Sequence, residues 1–329
     1  MWLLAADIGG TNTRILAVKS LSGGVDKRLE GHYASQDYAD LQSILQHFIS
    51  EHAIDHIDAA CLAVAGPVKD GTARITNLPW VIEEDTLTHA LPIDRVRLIN
   101  DFSGVAHGIS ELQEHHTQTL QAAKAQPDGT QVVLGAGTGL GMAIIMQQGT
   151  QYHVLETEAG HVSFAPRDDE ELAMLSYWQE QLDHVSNETF LSGRGIQRIF
   201  EFYVKKMGMS ASEQLTVRLQ QEADPAGVIN QFAQTYKEPV AVKTMQRFAD
   251  IYASVASDMA LATKATGGVY LAGGIAPLSL PILQTDRFIR LFNNKPPMTA
   301  LLATIPVKVI INTTVGLLGA MVVAERLRR

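Results

Sequence analysis

The chain opens with Trp2-Leu3-Leu4-Ala5-Ala6-Asp7-Ile8-Gly9-Gly10-Thr11-Asn12-Thr13-Arg14-Ile15-Leu16-Ala17-Val18, in which two apolar runs flank a glycine-rich break. This arrangement predicts a β-hairpin. The pattern returns at Val132-Val133-Leu134-Gly135-Ala136-Gly137-Thr138-Gly139-Leu140-Gly141-Met142-Ala143-Ile144-Ile145-Met146, again with Gly-Thr in the break. Two hairpins of one design indicate a duplicated α/β domain.

Short apolar runs predict further buried strands at 60–65, 96–99, 269–272 and 307–311. Polar, helix-favouring segments separate most of these runs, so the sheets should be mixed, with hairpins followed by helical crossovers. Apolar residues at alternating steps of three and four over 240–266 predict a long helix packed on a sheet and ended by Gly267-Gly268. The polar segment 204–238 predicts a helical insertion in the second domain.

Composition limits the class of protein. A chain of 329 residues is long enough for two domains of about 150 residues each. With 46% hydrophobic and 19% charged residues, disorder is excluded. The net charge of -9 argues against nucleic acid and favours small ligands. The single cysteine, Cys61, excludes an intramolecular disulfide and a cysteine-rich zinc site, and it indicates a cytoplasmic location. No apolar run is long enough for a membrane helix.

Both glycine-rich breaks are candidate phosphate sites. Gly9-Gly10-Thr11 and Gly137-Thr138-Gly139 would bring backbone N–H groups close to phosphate oxygens, although a tight hairpin turn explains most isolated Gly-Gly pairs. Asp7 favours the phosphate interpretation, because a carboxylate at the end of a buried strand can hold Mg²⁺ through water beside phosphates. The chain lacks a G-x-x-x-x-G-K-[ST] sequence, which excludes ordinary Walker-type NTPases.

Ordered motifs along the chain carry a resemblance to a known family. Asp7-Ile8-Gly9-Gly10-Thr11-Asn12-Thr13-Arg14 resembles the first phosphate motif of the superfamily of sugar kinases, actin and heat-shock chaperone ATPases. Residues 134–141 resemble its second phosphate motif, Leu271-Ala272-Gly273-Gly274-Ile275 its adenosine motif, and 313–320 its second connecting helix. From end to end the chain resembles the bacterial, zinc-free glucokinases of the proteobacterial type. The segments that match that family's sugar site are Leu98-Ile99-Asn100-Asp101-Phe102, Glu158-Ala159-Gly160-His161-Val162 and His184-Val185-Ser186-Asn187-Glu188-Thr189-Phe190-Leu191-Ser192-Gly193.

The resemblance implies a fold and an activity. The expected fold is α/β, with two ribonuclease H-like domains, mixed sheets and an interdomain cleft. The smaller domain would comprise residues 1–111 plus 314–329, and the larger domain 112–313. The expected enzyme is a cytoplasmic homodimer that uses ATP and Mg²⁺ to phosphorylate D-glucose at the 6-hydroxyl, giving glucose 6-phosphate and ADP at the entry to glycolysis. Nucleic acid and membranes are not expected partners.

Asp101 is the candidate general base. A carboxylate that closes an apolar strand can accept the proton of a sugar hydroxyl while its oxygen attacks phosphorus. The same position also suits an Asx turn or a helix N-cap, and the residue alone does not decide between these roles. The phosphate loops and the downstream motifs favour catalysis.

The resemblance assigns sugar binding to Asn100, Asp101, Glu158, His161 and Glu188. Each of the other four has a structural alternative: a turn for Asn100, the surface for Glu158, the core for His161 and a first helical turn for Glu188. The residues assigned to the nucleotide are Asp7, Gly9, Gly10, Thr11, Asn12, Gly137, Thr138, Gly139, Gly273 and Gly274, with Asp7 also the candidate Mg²⁺ residue. Gly316 and Gly319 would allow close helix packing at a hinge.

Two features depart from related families. One cysteine cannot build the zinc motif of the repressor and kinase (ROK) family. Ala159 stands where a glycine is usual, so a left-handed backbone there would be slightly strained.

Three alternatives remain. A kinase for mannose, fructose or an N-acetylated sugar would share the same residue types. A sugar sensor or repressor is disfavoured, because the chain begins directly with a strand and retains Asp101. An actin-like or chaperone-like ATPase would have no use for the sugar motifs.

The distribution of these residues along the chain predicts that sugar binding closes the two domains. Asp101 belongs to the small domain and Glu188 to the large one, so a sugar held by both would bind the closed state better and shift the equilibrium toward it. Small-angle scattering should show a more compact particle with glucose than without it. A hexose lacking the recognised hydroxyls serves as the control, and an unchanged profile at saturating glucose would rule closure out.

Overall fold

The structure is a computed structural model that describes residues 1–21, 24–75, 78–149 and 151–328. It divides into two compact units. The first unit comprises Met1–Gln113 and Asn312–Arg329, and the second comprises Glu114–Ile311.

The strands are given in chain order. They are β1 (Trp2–Ile8), β2 (Asn12–Leu21), β3 (Gly24–Ala34), β4 (Ala59–Val64), β5 (Val68–Lys69), β6 (Thr72–Arg74), β7 (Val81–Glu83), β8 (Val96–Asn100), β9 (Thr117–Gln121), β10 (Gln131–Ala136), β11 (Leu140–Gln148), β12 (Gln151–Thr157), β13 (Gly268–Ala272) and β14 (Val307–Ile310).

The α-helices are given in the same order. They are α1 (Leu41–Glu51), α2 (Glu84–Ala90), α3 (Asp101–Gly108), α4 (Asp169–Gln179), α5 (Gly193–Glu201), α6 (Glu213–Gln221), α7 (Pro225–Gln231), α8 (Pro239–Thr263), α9 (Ile275–Leu278), α10 (Leu280–Leu283), α11 (Asp286–Asn293), α12 (Thr299–Leu302) and α13 (Val315–Arg328). Single 3₁₀ turns occur at Ser35–Asp37, Ile109–Glu111, Glu114–His116 and Ala159–His161, and π-helical segments at Phe202–Lys206 and Phe232–Tyr236.

The first unit is built on a five-stranded mixed sheet in the order β3-β2-β1-β4-β8. β1, β2 and β3 are antiparallel neighbours, whereas β1, β4 and β8 are parallel. Every residue of β4 is buried, as expected for a parallel strand covered on both faces. One face packs on Ile44 and Phe48 of α1, and the other packs on Leu317 and Ala320 of α13. The sheet therefore forms the middle layer of this unit.

Helices α3 and α13 approach each other closely because glycines line their contact. A Cβ atom built on Gly319 would lie 1.8 Å from the carbonyl oxygen of Gly104, and one built on Gly108 would lie 2.2 Å from that of Val315. No side chain fits in either space. These glycines fix how closely α13 packs on α3 within the first unit.

The second unit repeats the strand pattern of the first. Its sheet has the order β12-β11-β10-β13-β14-β9, in which β10, β13 and β14 are parallel and the other pairs are antiparallel. β9 is an extra strand at the edge. The long helix α8 packs beneath this sheet, and its buried Tyr252 donates a hydrogen bond of 2.9 Å to the carbonyl of Leu134. The predicted fold class, α/β with mixed sheets and two related hairpins, is confirmed.

A buried arginine joins α8 to the start of α4. Arg247 donates hydrogen bonds of 2.7 Å to Asp168 and 2.9 Å to Glu171, and it also pairs with Glu170. Burial opposes ionisation of Asp168, but the hydrogen bonds from Arg247 and Glu171 N–H and the positive charges of Arg247 and Arg167 together lower the pKa of Asp168. This polar cluster fixes the position of α4, and nothing in the local sequence indicated it.

The predicted end of the long helix is wrong. α8 stops at Thr263, and Lys264 adopts a left-handed conformation (φ 49°) that closes it, three residues before Gly267. The two glycines have other roles: a Cβ on Gly267 would lie 2.2 Å from the carbonyl oxygen of Gly129, and Gly268 begins β13 at φ 132°. The segment predicted as a helical insertion does form α6, α7 and two π-helical segments.

No helix in the part of the chain that the structure describes is both long enough and apolar enough to span a membrane.

The close packing of α13 on α3 yields a prediction about stability. Gly319→Ala should lower the free energy of unfolding by about 1–3 kcal/mol, because its methyl group would overlap the Gly104 backbone. Gly316→Ala in the same helix is the matched control, since its Cβ would lie no closer than 3.9 Å to any atom. Denaturant unfolding of both variants measures the difference. Equal losses would contradict the packing argument.

Candidate active site

In the first unit, the predicted phosphate turn is anchored from one side. Gly9 N–H donates to the carbonyl of Asn12 (2.9 Å), and Ser35 donates through its N–H to Thr11 and through Oγ to Gly9, both at 2.9 Å. Gly10 is half-buried, and Thr11 and Asn12 are exposed. The turn is therefore held in place while its outer side is accessible to a ligand.

Asp7 lies at the end of β1, directly before this turn. In the sheet it stands opposite Arg14 on β2 and Ala63 on β4. Burial raises the pKa of Asp7, and the positive charge of Arg14 opposes the shift. A Cβ on Gly316 would lie 3.9 Å from Asp7 Oδ2, so the first turn of α13 is close to this carboxylate. Arg14 is therefore a further candidate residue that the sequence analysis did not select, although the hairpin register places it opposite Asp7.

Asn100 and Asp101 stand where β8 meets α3. Asn100 Oδ1 accepts from Phe102 N–H (2.9 Å) and its Nδ2 donates to the carbonyl of Gly66 (3.0 Å). The structural alternative for Asn100 is thus realised, because its side chain caps α3. Asp101 Oδ1 accepts from the same Phe102 N–H at 2.8 Å. Both residues are held rigidly at the carboxyl end of a parallel strand.

The electrostatics of Asp101 suit a proton acceptor. Although the residue is exposed, desolvation by nearby protein atoms raises the pKa of its carboxyl group. The Phe102 hydrogen bond opposes this shift, and the negative charge of Asp7 adds to it. The structure therefore brings Asp7 and Asp101 near each other in the first unit.

In the second unit, the loop Gly137-Thr138-Gly139 joins β10 to β11. Gly137 N–H donates to the carbonyl of Gly139 (2.9 Å), and Gly193 N–H donates to that of Gly137 (2.8 Å). Thr138 is exposed, and a Cβ on Gly137 would meet no atom within 4 Å. This loop too is anchored at its base and open above.

Glu158 precedes the short 3₁₀ turn after β12 and His161 is its last residue; both are exposed. The alternative of a core histidine is therefore wrong for His161. Ala159 begins the 3₁₀ turn and has no positive φ, so the predicted left-handed strain is absent. Gly160 is the residue that needs to be small, because its Cβ would lie 2.1 Å from the carbonyl oxygen of Leu140.

Glu188 lies in a turn before α5, not in a first helical turn. Its Oε2 accepts a hydrogen bond of 2.8 Å from Leu140 N–H, and its own N–H donates to the carbonyl of Gly160 at 2.9 Å. The structure therefore brings Glu188 together with the 3₁₀ turn and with the end of the phosphate loop.

Gly273 and Gly274 follow β13 and are exposed. Gly273 needs a glycine conformation (φ 81°), and its Cβ would lie 2.3 Å from the carbonyl oxygen of Ala136 at the end of β10. The candidate adenosine segment is thus adjacent to the Gly137 loop. In the second unit, the candidate nucleotide residues therefore follow β10 and β13, which are hydrogen-bonded neighbours.

A surface groove of about 540 Å³ on the second unit is lined by Arg287, Arg290 and Asn293, among others, and contains none of the candidate residues. Arg287 is already paired with Asp250 at 2.6 Å.

Comparison with known proteins reveals relatives over nearly the whole chain. The sequence model of the Glucokinase family matches residues 4–327. A glucokinase of Nostoc sp. is 39% identical over 339 residues, which covers 99% of each chain. The crystal structure of a glucokinase from an Antarctic psychrotroph matches with a TM-score of 0.87 at 30% identity, covering 99% of each chain.

A more distant structure shares the fold. The crystal structure of a ROK family glucokinase from Streptomyces griseus, in complex with glucose and AMPPNP, has a TM-score of 0.62 at 19% identity. The match covers 99% of this chain and 100% of that one.

Proposed function

The chain belongs to the glucokinase family, and from that premise we propose that it transfers the γ-phosphoryl group of ATP to the 6-hydroxyl of D-glucose. Membership confirms the resemblance drawn from the motifs and makes the chain a sugar kinase that phosphorylates glucose. We propose three further points: ATP is the phosphoryl donor, the 6-hydroxyl of glucose is the acceptor, and Asp101 is the catalytic residue. The observation that supports them best is the position of Asp101, fixed at the end of β8 and near Asp7.

Asp101 would act as the general base. Phe102 N–H occupies Oδ1, which leaves Oδ2 to accept the proton of the 6-hydroxyl as its oxygen attacks the γ-phosphorus. The surrounding protein raises the pKa of Asp101 by desolvation, which makes its carboxylate a stronger base than an ordinary aspartate. Little covalent chemistry is required, so alignment of the hydroxyl supplies much of the rate.

The family resemblance assigns recognition of the sugar to Asn100, Glu158, His161 and Glu188. Asn100 caps α3 with one lone pair and donates one hydrogen to Gly66, so its amide keeps a second hydrogen for a sugar hydroxyl. A hexose lacking one of the recognised hydroxyls would leave a polar group unpaired, which would favour the correct sugar.

The nucleotide would lie on the glycine-rich turns. The turns after β1 and β10 would place N–H groups toward phosphate oxygens, and Gly273-Gly274 would let the backbone lie against the adenosine. The AMPPNP complex of the Streptomyces griseus relative supports ATP as donor, since that compound is an ATP analogue.

The residues present fit a magnesium ion. Among the described residues no group of three or more His, Cys, Asp or Glu side chains forms a metal cage. Mg²⁺ bound mainly by substrate phosphates and water needs no such cage, and the buried Asp7 supplies one carboxylate beside the phosphate turn. Asp7 would hold the ion through water. When bound, Mg²⁺ neutralises charge on the transferred phosphoryl group.

The same proposal includes the cellular setting. The enzyme would act in the cytoplasm at the entry to glycolysis. The lone, buried Cys61 is consistent with that reducing compartment. The homodimer rests on the family resemblance alone.

ATP-dependent phosphorylation of a panel of hexoses, with the phosphorylated position determined, tests the activity and separates glucose from mannose, fructose and N-acetylated sugars.

Asp101→Asn tests the base. The variant keeps Oδ1 as acceptor for Phe102 N–H, so glucose and ATP binding should persist, while turnover should fall by roughly 10²–10⁴-fold. Asp85→Asn is the matched control, because Asp85 is an exposed aspartate in the first turn of another helix of the same unit. Calorimetry verifies binding and a coupled assay gives turnover. Near-normal turnover of Asp101→Asn would remove it from the catalytic role.

Metal removal gives a separate prediction. Activity should disappear with a general divalent chelator and return with Mg²⁺, and it should survive a zinc-selective chelator, because one cysteine cannot build a ROK-type zinc site. Loss of activity that zinc alone restores would count against this assignment.

A further inference from the structure

Three segments of the second unit meet at Glu188. Its carboxylate Oε2 accepts from Leu140 N–H at the end of the Gly137–Gly139 loop (2.8 Å). Its backbone N–H donates to Gly160 in the turn between Glu158 and His161 (2.9 Å). One residue thus touches both the candidate phosphate loop and the candidate sugar turn.

Two glycines make this meeting possible. A Cβ on Gly139 would lie 2.6 Å from Glu188 Oε2, so a side chain there would displace the carboxylate from Leu140 N–H. A Cβ on Gly160 would lie 2.1 Å from the carbonyl oxygen of Leu140. Glu188 therefore holds the N–H of Leu140, and the backbone of Gly160 lies close against the carbonyl of the same residue.

The other end of the loop is held by the same turn. Gly193 N–H donates to the carbonyl of Gly137 (2.8 Å), and Ser192 Oγ donates to the carbonyl of Glu188 (2.9 Å). Phe190 and Leu191, between these contacts, are fully buried. A movement of the Glu188 side chain therefore acts on a loop whose base is otherwise fixed.

We propose that Glu188 is a positioning residue that couples sugar binding to nucleotide binding through Leu140 N–H. This inference rests on the proposed function, in which glucose contacts Glu188 and the nucleotide phosphates contact the loop. Leu140 N–H uses Oε2, and Oε1 is the atom that remains for a sugar hydroxyl. A hydroxyl bound to Oε1 holds the carboxylate in the orientation that fixes Leu140 N–H, so the loop is ordered before the phosphates arrive. By linkage, nucleotide binding raises sugar affinity by the same factor.

Calorimetry measures this coupling. AMPPNP is titrated into the protein without sugar and with glucose at a saturating concentration set separately for each variant. For the unsubstituted chain, glucose should raise AMPPNP affinity by roughly 5–50-fold. Glu188→Ala should reduce that factor to about one, whereas Glu188→Gln, whose amide oxygen still accepts from Leu140 N–H, should retain most of it.

The controls separate coupling from loss of sugar affinity. His161→Ala removes an exposed sugar-site side chain without touching the loop, so glucose should bind more weakly while the coupling factor stays unchanged. Gly139→Ala keeps Glu188 but displaces its carboxylate, and it should lose the coupling. Gly137→Ala lies in the same loop with no atom within 4 Å of its Cβ, and it should keep the coupling.

Each result bears on a different claim. Coupling that persists in both Glu188→Ala and Gly139→Ala, or that is lost equally in His161→Ala and Gly137→Ala, would overturn the positioning role. Glucose binding without any coupling in the unsubstituted chain would overturn it as well. If the unsubstituted chain bound no glucose, the proposed function itself would fail.

Discussion

The parallel pairing of β1, β4 and β8 is the constraint on which the first unit depends. Its register sets Ile8 beside Val64 and Val64 beside Asn100, so the three strands end at one edge of the sheet. Parallel strands require crossovers, and each crossover leaves from that edge. Asp7 and Asp101 come from distant parts of the sequence, and this pairing brings both to the same edge of the sheet. The second unit uses the same arrangement, where β10 and β13 end beside each other and bring Gly273 to the Gly137 loop.

Glycine serves this chain more often by being small than by bending the backbone. Of the glycines assigned to the nucleotide, only Gly273 has a positive φ. Gly139 makes room for a carboxylate, and Gly160, Gly108 and Gly319 each make room for a carbonyl oxygen. Glycines in the sequence therefore indicate where the loops are, but they do not indicate which carboxylate or carbonyl oxygen packs against each glycine. Only the packed structure shows which neighbour needs the space.

The difference between a local sequence pattern and a tertiary contact explains how much of the fold and of the candidate site the sequence could predict. The hairpins, the parallel strands and the long helix follow from local apolar patterns, and the candidate residues follow from motifs. The end of α8 at Lys264 does not, since no local rule distinguishes a lysine that adopts a left-handed conformation from one that continues a helix. The Arg247 cluster and the bond from Leu140 to Glu188 join residues 76 and 48 positions apart, beyond the range of any periodicity.

The structural and functional alternatives for the polar residues are compatible, because these side chains have more than one polar atom. Asp101 Oδ1 accepts a hydrogen bond from Phe102 N–H at the start of α3, and Oδ2 remains for a ligand. Glu188 Oε2 accepts from Leu140 N–H, and Oε1 remains for a ligand. In each case the structural bond restricts the rotation of the side chain, so less entropy is lost when a ligand binds the remaining oxygen. A cap or a loop contact is therefore not evidence against a role in the site. It is how a short side chain at the end of a strand becomes rigid enough to align a hydroxyl group.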